Sequence, residues 1–183
     1  MDKYELVEIA DPPRPGMKRI RAVRDIPKAG VSAGDSGGWV ESEANLSQRG
    51  GCWVDGSAMV AGRARVCGDA LVFGNAQVGE HAKVSGNALV HGSAMVLDNA
   101  HVSGYAEVSD NAVVCGDAQV FGNAQVWGNM LVYGNAVVYG NAVVCGNAQV
   151  FDNAQVFGNA QVYGNAVLHG YAFVSGNVVI NGD

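Results

Sequence analysis

From Val54 to Ile180 an aliphatic residue stands on every sixth position, 22 times in succession and without one insertion. A strict short period outweighs every other signal in a chain, because each unit must repeat the backbone path of the one before it. Two residues ahead of each aliphatic position runs a second column, Ala58, Ala64, Ala70 and their successors, broken only by Met130 and Val178. Written out, the unit is Val132-Tyr133-Gly134-Asn135-Ala136-Val137.

Residues two apart on an extended chain share a face, so the Ala and Val columns point inward and their neighbours outward. The Gly-Asn pair is then the corner, since glycine accepts a positive φ freely and asparagine is the next most tolerant residue. Only Glu80, Asp98, Asp110 and Asp152 interrupt the glycine column. A helix is excluded: six is not a multiple of the helical period, and a glycine in every unit would cost about 1 kcal/mol each time. Six-residue sides close most simply into a triangle of about 18 residues, stacked at about 4.8 Å per coil. The repeats supply about seven such coils, with a narrow core of Val against Ala.

This pattern, an aliphatic residue with a small one four positions later as in Val132 and Ala136, resembles the hexapeptide-repeat proteins of the left-handed parallel β-helix class. Left-handedness is implied by that resemblance alone, because parallel crossovers are ordinarily right-handed. The tandem Gly-Asn-Ala-x-Val units follow Lys28-Ala29-Gly30-Val31 and Gly37-Gly38-Trp39-Val40-Glu41-Ser42-Glu43, and the combination is similar to the YdcK-type branch of bacteria and phages. The expected fold is therefore all-β: a single-stranded left-handed parallel β-helix over residues 51–183, with an N-terminal β-hairpin cap over residues 1–50. The resemblance also suggests a phage or prophage origin.

The first 50 residues break the period. Tyr4-Glu5-Leu6-Val7-Glu8-Ile9 and Lys18-Arg19-Ile20-Arg21-Ala22-Val23-Arg24 read as two strands joined through Pro12-Pro13-Arg14-Pro15-Gly16, a hairpin suited to covering the first coil. Gly34-Asp35-Ser36-Gly37-Gly38 copies the residues around the nucleophile of chymotrypsin-like proteases. Nothing else of that fold is present, so the expected role is a tight glycine turn leading into the first coil.

Charge is unevenly placed. All 11 Lys and Arg residues lie at or before Lys83, and the chain beyond it carries only Asp98, Glu107, Asp110, Asp117, Asp152 and Asp183. A shaft without cations cannot neutralise phosphates, which argues against nucleic acid as a partner. The sequence holds no apolar run long enough to cross a membrane as a helix, and Met1-Asp2-Lys3-Tyr4-Glu5 is too polar to open a signal peptide, so a cytoplasmic location is expected. Cys52, Cys67, Cys115 and Cys145 fall on four different columns, too far apart for a disulfide or a shared zinc, and are expected as free thiols at outward or strand-edge positions.

Folding the sequence onto a triangle sorts the outward positions into three faces. One carries Met95, Leu97, Val113, Cys115, Leu131, Tyr133, Phe151 and Val167 with no formal charge anywhere along it, and is the expected contact face of a homodimer or homotrimer. A second stacks Phe121, Tyr139 and Phe157 in one column, a candidate ledge for a sugar or a partner protein, although such rings also stabilise parallel ladders by themselves. The third, with Phe73, His91, Trp127, Cys145 and Tyr163, is mixed. His81, His91, His101 and His169 occupy different columns and do not converge, so no metal ligand set, cofactor or catalytic residue is assigned.

The expected function is a non-enzymatic, self-associating scaffold or protein-interaction module. The alternative implied by the resemblance is a hexapeptide-type acyltransferase with its site between subunits. Such enzymes use a histidine base and commonly a loop thrown out from one coil, and the uninterrupted period leaves no room for that loop.

Overall fold

A computed structural model describes residues 2–183. Three strands open the chain: β1 (Tyr4–Val7), β2 (Lys18–Ala22) and β3 (Ser36–Val40). From Trp53–Val54 onward almost every strand is two residues long, one per hexad, ending at Val179–Gly182. They stack into three parallel sheets, one per side of the prism. Leu131 pairs with Val113 on one side and Gln149 on the other, so a coil is three hexads, as expected from the period.

Each side is tied to the next coil by backbone bonds. Leu131 N–H donates to the Ala148 carbonyl at 3.1 Å, Tyr133 to Val150 at 3.0 Å and Asn135 to Asp152 at 2.7 Å. Inside, the Val and Ala columns are fully buried from Val54 to Val162, and Met130 fills an alanine position with the same burial. The corner glycines hold positive φ, for example 69° at Gly116. The acids that replace glycine do so too, with φ of 53° at Glu80, 58° at Asp98 and Asp110, and 59° at Asp152. Two of them show why an acid is accepted there: Asp98 Oδ2 receives the Gly116 N–H at 2.9 Å, and Asp152 Oδ2 receives the Gly170 N–H at 3.0 Å. A carboxylate thus satisfies the corner donor of the following coil, which offsets the strain of a left-handed conformation.

Corner asparagines form hydrogen-bonded ladders, since residues one coil apart are direct neighbours. Asn123 donates to Asn141 at 2.9 Å, Asn141 to Asn159 at 3.0 Å and Asn159 to Asn177 at 2.9 Å.

The N-terminal segment extends one of the three sheets. β1 pairs antiparallel with β2, β2 antiparallel with β3, and β3 runs parallel to Met59–Val60. Val40 sits beside Val60 and Leu46 beside Val66, both pairs slightly further apart in the chain than the three hexads that separate neighbours in the shaft. A coil therefore precedes Val54, hidden from the hexad count by two extra residues before Cys52. The Ser36-Gly37-Gly38 stretch is part of β3, not the turn expected from its glycines. A Cβ on Gly37 would lie 2.5 Å from the Val54 carbonyl oxygen, so glycine there allows a close approach of backbones. The turn itself falls at Gly34, with φ of 95°.

Beneath the hairpin, the Tyr4 ring meets Trp53 edge-on with centroids 6.5 Å apart, and its hydroxyl donates to the Leu46 carbonyl at 2.7 Å. Burial pushes the Tyr4 hydroxyl well above its ordinary value of 10.0. Cys52 differs from the expectation of an outward thiol. It occupies the inward alanine column, one coil before Ala70, and is completely buried.

Candidate interaction surface

The uncharged face lies on the sheet that β1–β3 extend. Pairing between successive coils sets Met95, Val113 and Leu131 in one row, and the same spacing sets Leu97, Cys115, Tyr133 and Phe151 in the next. These side chains are half-buried by their neighbours along the axis, and Val167 is 53% exposed. Tyr133 stacks on Phe151 with centroids 4.7 Å apart and an interplanar angle of 9°, and Phe151 on His169 at 5.4 Å and 16°. Stacking lays the rings along the sheet and keeps the surface flat. Charge borders the face at its corners, where Asp98 follows Leu97 and Asp152 follows Phe151, and at the N-terminal end, where Arg14 from the Pro-rich connection donates to Gln77 Oε1 at 2.7 Å. Arg14 shares a shallow recess there with Met59, Ala61 and Leu97.

On the second face, Phe121 and Tyr139 stack at 5.1 Å and 11°, Tyr139 and Phe157 at 4.7 Å and 4°, and Phe173 closes the ladder edge-on to Phe157 at 4.7 Å. The ring faces are engaged with one another, leaving mainly edges toward solvent. Nearer the N-terminus the same sheet carries Arg65, Lys83 and His101, all exposed.

The third face holds a contact that the sequence signalled only through its spacing. His91 stacks on Phe73, one coil away, with centroids 4.7 Å apart, and its Nε2 lies 2.9 Å from Glu107 Oε1 on the next coil. The other histidines stand apart: His81 Nε2 is 3.5 Å from Arg63 Nη1, and His169 belongs to the Phe151 stack. Among the described residues, no three His, Cys, Asp or Glu side chains gather closely enough to hold a metal ion.

All four cysteines are free thiols. Three of them mark the three faces separately: Cys67 beside the Arg65 row, Cys115 on the uncharged face and Cys145 on the face of Trp127, each half-buried. Burial raises the thiols of Cys115 and Cys145, and Asp98 adds to the effect at Cys115.

A family model described as the YdcK beta solenoid repeat matches residues 64–80, 132–146, 148–164 and 154–170. The last two matches overlap with a shift of six residues, which is the period that builds the prism. No curated protein matches the chain significantly. The matched repeats, together with the parallel coils they form, make the chain a parallel β-solenoid that carries YdcK-type repeats.

Proposed function

We propose that this protein is a non-enzymatic scaffold that self-associates through the uncharged face, with residues 1–50 serving to close the N-terminal end of the solenoid. The observation that carries this reading is the face from Met95 to Val167: seven half-buried side chains and two exposed ones, Gln149 and Val167, mostly apolar, with no formal charge. A second copy suits it as partner because a flat, charge-free surface matches itself. Neither a two-fold nor a three-fold packing of prisms would desolvate an unpaired charge. The hairpin supports its assigned role by pairing along β3, which removes a free strand edge that would otherwise template further pairing.

Sedimentation velocity on the wild-type chain and on Leu131→Lys and Tyr133→Lys tests the reading. A wild-type dimer or trimer that becomes a folded monomer in both variants supports it. A monomeric wild type, or variants that keep the oligomer, overturns it. A melting temperature raised by acetyl-CoA would replace the scaffold with an acyl-transfer reading, because ligands that bind the native state stabilise it.

A further inference from the structure

Lys3 is wholly buried, and among the described residues its Nζ hydrogen-bonds only to Cys52, at 2.7 Å to the carbonyl oxygen and 3.1 Å to Sγ, with the Tyr4 ring centroid 6.0 Å away. A buried ammonium ordinarily has a carboxylate beside it. Here no acid lies within ion-pair distance among the described residues. Desolvation favours the neutral amine and, at the same sulfur, the neutral thiol. The chain thus holds a primary amine against a thiol, in a pocket built from the N-terminal strand and the first coils.

We propose that Lys3 and Cys52 are an oxidative cross-linking site, in which a peroxide joins Lys3 Nζ to Cys52 Sγ and fastens the N-terminal segment to the solenoid. Local opening of the segment that carries Lys3 admits the oxidant. The thiol takes one oxygen from peroxide to become a sulfenic acid and releases one water. When the segment closes again, the Lys3 lone pair attacks sulfur, the S–O bond breaks, and hydroxide leaves with a proton from the amine as a second water. The sulfur is oxidised by two electrons, the peroxide is reduced to two waters, and the pair loses two hydrogens in all. The N–H that remains faces the Cys52 carbonyl that already accepts from Nζ. Condensation with an amine is the natural fate of this sulfenic acid, since Lys3 already touches the sulfur, whereas the Cys67 thiol belongs to an outward face.

Peptide mapping of the folded chain after mild hydrogen peroxide tests the proposal. Trypsin should yield residues 1–18 joined to residues 50–63, uncut after Lys3, and about 2 Da lighter than the sum of the two peptides. The joined peptide should be lost in Lys3→Arg and in Cys52→Ala; the second places alanine in a column that already holds it and so preserves the fold. Three results overturn the proposal: residues 50–63 joined instead to 66–83 as a Cys52–Cys67 disulfide, Cys52 carried to a sulfinic acid, or Cys52 unmodified while exposed methionines oxidise. A joined 1–18/50–63 peptide about 14 Da heavier than the sum, with fragment ions placing the added oxygen at the Lys3–Cys52 link and not on Met1, Met17 or Met59, would contradict the S–N bond.

Discussion

Gly116 and Gly176 occupy equivalent corners at nearly equal φ, 69° and 76°, yet differ in what lies beyond them. A Cβ on Gly116 would stand 2.8 Å from the Gly134 nitrogen and 2.9 Å from its carbonyl oxygen, whereas one on Gly176 meets nothing within 4 Å. Replacing either by alanine costs about 1–2 kcal/mol for the left-handed conformation. Only Gly116→Ala also forces two coils apart, an overpacking penalty of about 1–3 kcal/mol. Thermal melts followed by circular dichroism should therefore show Gly116→Ala melting several degrees below Gly176→Ala, at about 2–4 °C per kcal/mol for a chain of this size. Gly116→Asp should recover about 1 kcal/mol or more of the loss, because a carboxylate there can take the corner N–H of the next coil as Asp98 and Asp152 do. Equal melting temperatures for the two alanine variants would refute the idea that coil-to-coil approach, and not φ alone, selects glycine.

Asn141→Ala removes bonds to both Asn123 and Asn159, and should lower stability by about 1 kcal/mol in the same melts, exposed hydrogen bonds lying at the weak end of their range. Tyr4→Phe should cost about 1 kcal/mol at neutral pH through the lost bond to Leu46, measured by urea unfolding. The tyrosine's folded value is raised, so its proton stabilises the fold fully below pH 10.0 and that contribution fades as pH rises past it. Tyr4→Phe should accordingly flatten the alkaline decline of stability, and an unchanged slope would disprove the assignment. Val126→Ala deletes two methyl groups from the closed core and should cost about 2–3 kcal/mol by the same unfolding measurement.

The columns of the shaft are legible in the sequence because the period is set by local geometry: once Ala136 and Val138 point inward, the residues one coil away must do the same. The aromatic ladders follow from the same arithmetic, although the Phe73–His91–Glu107 contact does not stand out among its mixed neighbours. Cys52 is one coil before Ala70 and so belongs to the inward column, but a cysteine draws notice as a thiol before it reads as a small core residue. The coil formed by Val40 and Leu46 is hidden for a physical reason. Its path is shaped by contacts with β2 and Trp53 instead of by Gly-Asn corners, so two additional residues are accommodated without a visible motif. Lys3 gives no signal at all. A terminal lysine reads as solvated, and only the fold reveals that Cys52 meets its amine.

The three outward cysteines allow the self-association claim to be tested without altering the chain. Alkylation rates at Cys67, Cys115 and Cys145 can be measured site by site across a dilution series, each thiol compared only with itself. Self-association through the uncharged face should protect Cys115 alone as concentration rises, while Cys67 and Cys145 react at constant rates. Protection of either of those two, or a Cys115 rate that is independent of concentration, would contradict it.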